Sequence, residues 1–161
     1  MAIAVFDGTN DVKGFVEFIS KKNGLQVIAD FSLLPSGDHG FHIHKAGDLR
    51  GEGCKGACDH FHNGPVQSHG GPPSSKGPRH TGDLGNITGP KSKTTYFLPN
   101  VTLTELYGRS VIVHADPDDL GKGVEYDSHT TGHSGIRIGC AIIGRTKCST
   151  NKTRKASKGL K

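Results

Sequence analysis

An all-β frame carrying two long loops is the fold class this sequence predicts, and three observations predict it. Short runs alternate apolar with polar side chains, and two long stretches show no periodic pattern. Glycine occurs 24 times and tryptophan not at all, in a chain that is only 32% hydrophobic. A period of two puts every second side chain on the same face of a strand. Glycine-rich punctuation suits strands joined by turns and loops rather than long helices. At 161 residues the chain has the size of one domain around one core.

Residues 2–6 and 12–19 read as the first two strands, with Val12, Gly14, Val16 and Phe18 sharing a face. Lys22-Asn23-Gly24 is a hairpin signal, and Leu25, Val27, Ala29, Phe31 and Leu33 alternate after it, so the opening reads as an antiparallel meander. A fourth strand follows Pro35-Ser36-Gly37 and contains Gly40-Phe41-His42-Ile43-His44. From Ala46 to about Arg79 the pattern lapses into one irregular loop holding Cys54, Cys58, His60, His62 and His69. Loops of that length in a compact domain usually carry function. Short strands are predicted near 80–86, 93–98 and 101–106, then an apolar strand over Ser110–Ala115, a second loop over Asp116–Gly135 and a last strand over about 136–144. Without internal repeats or heptads, the frame is Greek-key-like or up-and-down.

The formal charge of +5 resides in the tail. Residues 149–161 contain Lys152, Arg154, Lys155, Lys158 and Lys161 and no acid, which leaves the preceding 148 residues balanced. The predicted organisation is therefore a domain over 1–148 and a basic, disordered tail over 149–161, with no basic surface for specific nucleic-acid binding. The opening Met-Ala-Ile-Ala-Val-Phe-Asp lacks a charged leader and an apolar signal stretch, and no segment is long and apolar enough to span a membrane. The expectation is a cytoplasmic protein without a membrane partner. The sequons at Asn86, Asn100 and Asn151 are discounted on the same ground. Four cysteines in such a chain point to reduced thiols or metal ligands.

His42 and His44, two apart on a strand, project from one side and make half of a metal site. His60, His69, His80, Asp83 and His114 bring the candidates to seven, more than one tetrahedral ion requires, and favour two adjacent sites. Imidazole suits copper and zinc, and a carboxylate in a nitrogen-rich set suits zinc better.

Gly-Phe-His-Ile-His at 40–44, His-Gly-Gly-Pro at 69–72, Arg-His-Thr-Gly-Asp-Leu-Gly-Asn at 79–86, Val-His-Ala-Asp-Pro-Asp-Asp-Leu-Gly-Lys-Gly at 113–123 and Gly-Ile-Arg-Ile-Gly-Cys at 135–140 occur in order. In these stretches the chain resembles the copper/zinc superoxide dismutases. The resemblance implies an eight-stranded Greek-key β-barrel, flattened into an immunoglobulin-like sandwich, and a homodimer binding one copper and one zinc per subunit. It implies that His42, His44, His60 and His114 hold copper and that His60, His69, His80 and Asp83 hold zinc, with His60 as the bridging imidazolate. Asp118 matches a carboxylate that hydrogen-bonds His42 and His69 without touching either metal. Arg137 matches the arginine that attracts superoxide to copper, and His60 is expected to release copper on reduction and pass a proton to the forming peroxide. Cys54 and Cys140 match a disulfide; closing 86 residues would stabilise the domain by roughly 3–5 kcal/mol. Cys58 and Cys148 are expected to be free thiols, and a copper chaperone is a candidate loading partner.

The remaining histidines, His39, His62, His129 and His133, match no ligand position. The chain departs from the family pattern at Thr130, where a steering lysine is usual, at Tyr126, where an acid is usual, and at Tyr107 and Arg145, which replace small apolar residues of the subunit contact. Two other readings compete. One is a copper-delivery or metal-binding domain without turnover, against which the complete copper set and Arg137 argue. The other is a structural zinc cluster of Cys54, Cys58, His60 and His62 with a nucleic-acid-binding tail, whose spacing is too short for a zinc finger.

Overall fold

The structure is a computed structural model describing residues 1–65 and 68–147; Cys148 and the basic tail lie outside the described residues. The opening meander forms as the alternation predicts: β1 (Ala2–Asp7), β2 (Lys13–Lys21) and β3 (Gly24–Leu33) pair antiparallel in sequence. Lys21 pairs with Gly24, so Lys22 and Asn23 make the two-residue hairpin, and Asn23 takes the positive φ of 63° such a turn demands. The chain then crosses to a second sheet as β4 (Asp38–His44) and β5 (Asp83–Thr88), and returns as β6 (Ser92–Pro99) beside β3. After a short helix α1 (Leu103–Leu106) come β7 (Ser110–His114), a second short helix α2 (Ser128–Thr131), β8 (Arg137–Ile142) and β9 (Gly144–Arg145). The sheets have strand orders β6-β3-β2-β1-β9 and β5-β4-β7-β8. The result is the flattened Greek-key sandwich rather than a closed barrel, and the expected last strand is divided so that its end pairs with β1.

Two local expectations change. Residues 101–106 were expected as a strand but contain α1, because Thr102 and Glu105 form a reciprocal capping box that satisfies the first turn's amides. In β3, Lys13 faces Leu33 while Gly14 faces Phe31, so Ser32 is an extra bulged residue. The bulge inverts the alternation: Leu33 is 40% exposed and Leu34 is buried in its place.

The core lies between the sheets, with Val16, Phe18, Val27 and Phe31 on one side and Phe41, Ile43, Val111 and Val113 on the other. Phe31 meets Phe41 edge to face with centroids 5.8 Å apart. Every residue of β4 after Asp38 is buried, and so is all of β7. Strands buried on both faces need a second cover, and the two long loops provide it. That outer face carries His42, His44 and His114, opposite the core face formed by Phe41, Ile43, Val111 and Val113.

The first loop is pinned to the β4 side by backbone hydrogen bonds from Lys45 to Asp59 and from Phe61 to Ile43. A disulfide between Cys54 and Cys140 ties it to β8, so these two cysteines depart from the reduced state the composition alone suggests. Cys58 is a free, exposed thiol. Replacing Cys54 and Cys140 together by serine is expected to lower the unfolding free energy of the metal-free protein by about 3–5 kcal/mol in reversible denaturant titrations.

Candidate metal centre

Strand register brings the ligand types together before any loop is considered. His42 and His44 lie across β7 from Ile112 and Ser110, which puts them on the same face as His114; the His42 and His114 rings are 4.9 Å apart. A bulge in β8 does the rest. Val113 faces Gly139 but His114 faces Arg137, so Ile138 is skipped and Arg137 turns onto the histidine face. A second irregularity, between Gly40 and His42, sets Asp83 opposite His42. The first loop lays His60 against this surface, ring centroid 4.0 Å from His42, and also adds His69, whose ring is 5.1 Å from that of His60.

Two groups of four result, each with its candidate donor atoms within 4.8 Å of one another: His42, His44, His60 and His114, and His60, His69, His80 and Asp83. His60 belongs to both. All the ligand types read from the sequence are therefore gathered, and each of these histidines is buried.

The free lone pairs identify which atoms face inward. His42 Nδ1, His44 Nε2, His60 Nε2, His80 Nδ1 and His114 Nε2 are buried without a hydrogen-bond partner. Buried polar atoms left in that condition are costly unless something else satisfies them. The other ring nitrogens explain the orientation. His44 Nδ1 donates to Cys58 O at 2.7 Å and His114 Nδ1 to Gly135 O at 3.1 Å. His42 Nε2 donates to Asp118 Oδ2 at 2.8 Å and His69 Nε2 to Asp118 Oδ1 at 2.8 Å. Carbonyl and carboxylate oxygens only accept, so each of these contacts fixes a proton on the outer nitrogen; for His42, His44 and His114 the inner nitrogen is left bare, whereas His69 Nδ1 faces Asp83 Oδ1.

In the second group Asp83 Oδ1 lies 2.8, 3.1 and 3.3 Å from the Nδ1 atoms of His60, His69 and His80, and the His60 and His69 Nδ1 atoms are 3.3 Å apart. Around a tetrahedral ion with bonds of about 2.0–2.1 Å, donor atoms stand roughly 3.3 Å apart. Three nitrogens and one carboxylate oxygen at these separations fit zinc, while four imidazoles with bare inner nitrogens fit copper. The trio His42, His69 and Asp118 also lies close together, but both Asp118 oxygens accept from outer ring nitrogens, so it is a clamp and not a third site.

Burial governs the charges. It pushes His42 and His44 well below the ordinary imidazole range and His114 down to about 3, keeping them neutral donors. Burial also lowers His60, against the opposing pull of Asp83. Burial would raise Asp83, yet the imidazoles of His60, His69 and His80 gathered around it outweigh burial and hold this carboxyl far below its usual range. His69 is likewise disfavoured by burial but raised to about 9 by Asp118 and Asp83.

Above the histidines opens a cleft of about 290 Å³ lined by His60, His114, Asp127, Thr131, Ile136 and Arg137, among others. The Arg137 guanidinium is fixed by donating to Cys54 O and Cys58 O, each at 2.6 Å. Of the other histidines, His39 meets the carbonyls of His114 and Pro35, His62 meets Thr81, and His133 meets Asp127, while the His129 carbonyl accepts from the His69 amide. With Cys54 in a disulfide, the alternative cluster of Cys54, Cys58, His60 and His62 does not assemble. Sequence reasoning missed Gly132: a Cβ there would lie 2.1 Å from Asp118 Oδ1 and 2.4 Å from His69 Nε2, so glycine is required for the clamp to close. Its φ of 70° is the only further signal, and nothing in the pattern announces it.

Residues 12–143 match the family model for copper/zinc superoxide dismutase (SODC). A superoxide dismutase [Cu-Zn] of Paramecium bursaria Chlorella virus 1 is 45% identical over 153 residues, covering 91% of this chain and 79% of the relative. An extracellular superoxide dismutase [Cu-Zn] of Haemonchus contortus is 41% identical over 145 residues, covering 85% and 77%. A solved structure, that of the clock protein EA4, superposes with a TM-score of 0.79 at 35% identity, over 89% of this chain and 92% of that one. The matched stretch runs from the start of β2 to the end of β8 and takes in both histidine groups, so the chain belongs to the copper/zinc superoxide dismutase family.

Proposed function

We propose that His42, His44, His60 and His114 hold one copper and His60, His69, His80 and Asp83 one zinc in each subunit, with His60 shared. As a member of its family the chain is an oxidoreductase that converts superoxide to oxygen and hydrogen peroxide. The observation that carries the residue assignment is the pair of bare or acid-facing nitrogens on His60. Its Nε2 is buried and partnerless in one group, while its Nδ1 lies 2.8 Å from Asp83 in the other.

Bound there, copper would supply the one-electron redox couple that dismutation needs, and zinc, which has no accessible redox state, would order the site. The protein does the remaining work. Arg137 draws the anion into the cleft and holds it beside the histidines. His60 Nε2, buried and facing the cleft, is the atom at which a proton is held and passed to the forming peroxide. Asp118 ties His42 to His69 so that neither half of the site moves alone.

Wild-type protein is expected to bind one copper and one zinc per chain. In His114→Ala, metal analysis and a superoxide assay should find zinc retained, copper weakened and activity lost. Zinc alone in the wild type, with no dismutation after copper reconstitution, would favour a metal-binding domain without turnover. Arg137→Gln is expected to slow the reaction by about tenfold at low ionic strength and to flatten its salt dependence, with metal content unchanged.

The quaternary reading we propose is a homodimer through the outer side of β1 and β9. Val5, 61% exposed, lines a groove of about 290 Å³ with Leu49 and Ile138, and Ile142 at the end of β8 is 49% exposed. Tyr107 and Arg145 are compatible with such a contact because Arg145 stacks over the Tyr107 ring at 4.5 Å. Sedimentation should give a dimer, and Val5→Lys with Ile142→Lys should give a monomer. The compartment we propose is cytoplasmic; no helix among the described residues is long and apolar enough to cross a membrane, and cell fractionation distinguishes this from the extracellular placement named for the Haemonchus relative. Since the copper set is almost wholly buried, delivery by a copper chaperone is the loading route we propose.

A further inference from the structure

One wall of the cleft is α2, and the ion pair that closes it does not belong to the metal centre. Asp127 stands at the start of this helix and lines the cleft together with Thr131, His60, His114 and Arg137. Its Oδ2 accepts from Thr131 Oγ1 at 2.9 Å, and its Oδ1 accepts from His133 Nδ1 at 2.6 Å. His133 reaches back over the helix because Gly132 and His133 both take left-handed backbone, φ 70° and 50°. For a non-glycine residue that conformation is unfavourable and needs a compensating contact. The side chain of His133 remains half exposed.

The charge pattern of the wall gives this pair a consequence for the substrate. Between Asp116 and Gly135 the cations with fixed charge reduce to Lys122, and α2 itself has Thr130 where the family resemblance places a lysine. The charged groups that act on His133 are Asp127, Glu125 and Asp119, all acids. Asp127 is the acid among these that faces the cleft with Arg137; Asp59, from the first loop, also lines the cleft, with Lys45 Nζ 3.8 Å from its Oδ2. A bare carboxylate at that place repels an incoming anion; a carboxylate paired with an imidazolium does not.

We propose that His133 is a positioning residue acting through Asp127: protonated, it neutralises the carboxylate on the cleft wall and admits superoxide to Arg137, and deprotonated, it leaves a repelling charge there. This rests on the superoxide reaction and adds to it a residue that sets the pH range of capture. The hydrogen bond that His133 donates to Asp127, with help from Glu125 and Asp119, holds His133 above the ordinary imidazole range, while the same contact holds Asp127 below the usual carboxylate range. The neutral pair is therefore complete at intermediate pH. Its cation is lost as pH rises through the raised value for His133, so capture slows on the alkaline side.

The test is the second-order rate of superoxide consumption by the copper- and zinc-loaded enzyme, followed from about pH 6 to about pH 9 at low and at high ionic strength. Wild type is expected to lose about two- to threefold across the titration of His133 at low ionic strength, the effect of one unit charge over roughly 10 Å of water-like dielectric, and to lose the step at high ionic strength. His133→Asn keeps a donor for Asp127 without the charge and should sit on the lower plateau throughout. His133→Lys and Asp127→Asn should sit on the upper plateau without the step, all with unchanged metal content. A wild-type profile in His133→Asn or Asp127→Asn overturns the proposal. So does failure of His133→Lys to restore the rate, which would leave His133 a merely structural support for α2. Absence of dismutation in every variant and in wild type would instead refute the enzymatic reading itself.

Discussion

The carboxylate of Asp118 holds the two halves of the metal centre in register. One oxygen accepts from His42, on β4, and the other from His69, in the first loop. Those contacts fix the tautomers of two ligands at once and so decide which lone pairs face inward. The clamp is held in turn by reciprocal hydrogen bonds between the Asp118 backbone and the Asn86 side chain, at 2.7 and 2.9 Å, and by the Leu120 amide. Asn86 belongs to β5, so the sheet, the first loop and the second loop meet at one side chain.

A site of this kind works against the stability of the bare protein. Five inner nitrogens are buried without partners, and each such atom costs about 1–3 kcal/mol relative to a satisfied one. The neutral imidazoles of His42, His44, His60 and His114 and the ionised Asp83 that burial and hydrogen bonding select are the protonation states a metal needs, while His69, raised by Asp118 and Asp83, would give up a proton on binding; coordination would offset the cost that the fold has accepted. Metal affinity and folding are consequently one equilibrium. The sheet supplies the rigidity: β4 and β7 are closed on both faces, and their histidines cannot rotate toward solvent to satisfy themselves.

Much of this was legible in the sequence, for identifiable reasons. Alternation located the meander and the His42–His44 face because a period of two survives wherever one sheet face is buried. The long loops stood out by lacking any period. What the sequence concealed were the places where one residue is skipped. The bulge at Ser32 exchanges Leu33 for Leu34 in the core, and the one at Ile138 turns Arg137 onto the histidine face. Strict alternation from Cys140 would have pointed Arg137 into the sandwich. Neither bulge changes composition, so only pairing register reveals it. The helix α1 was concealed differently: Thr102 and Glu105 carry a capping box at the right spacing, but four residues are too few for a helical period to appear.

The same logic explains why a disulfide sits so close to the reacting face. The Cys58 carbonyl accepts both from His44 Nδ1 and from Arg137, so a single backbone group orients a histidine of the first group and the arginine proposed to attract the anion. The Cys54 carbonyl holds the other arm of that guanidinium. The Cys54 carbonyl lies in the short turn Glu52–Ala57 and the Cys58 carbonyl just after it; Gly53 and Cys54 take left-handed backbone and Cys58 a positive φ of 62°. A turn of that conformation has little intrinsic preference to persist. Cys140 lies across β7 from Ile112, between the pairs that carry His114 and His44. The disulfide therefore anchors the turn to the strand that also bears Arg137, and the covalent link fixes the arginine relative to the histidines by holding the acceptors that aim it.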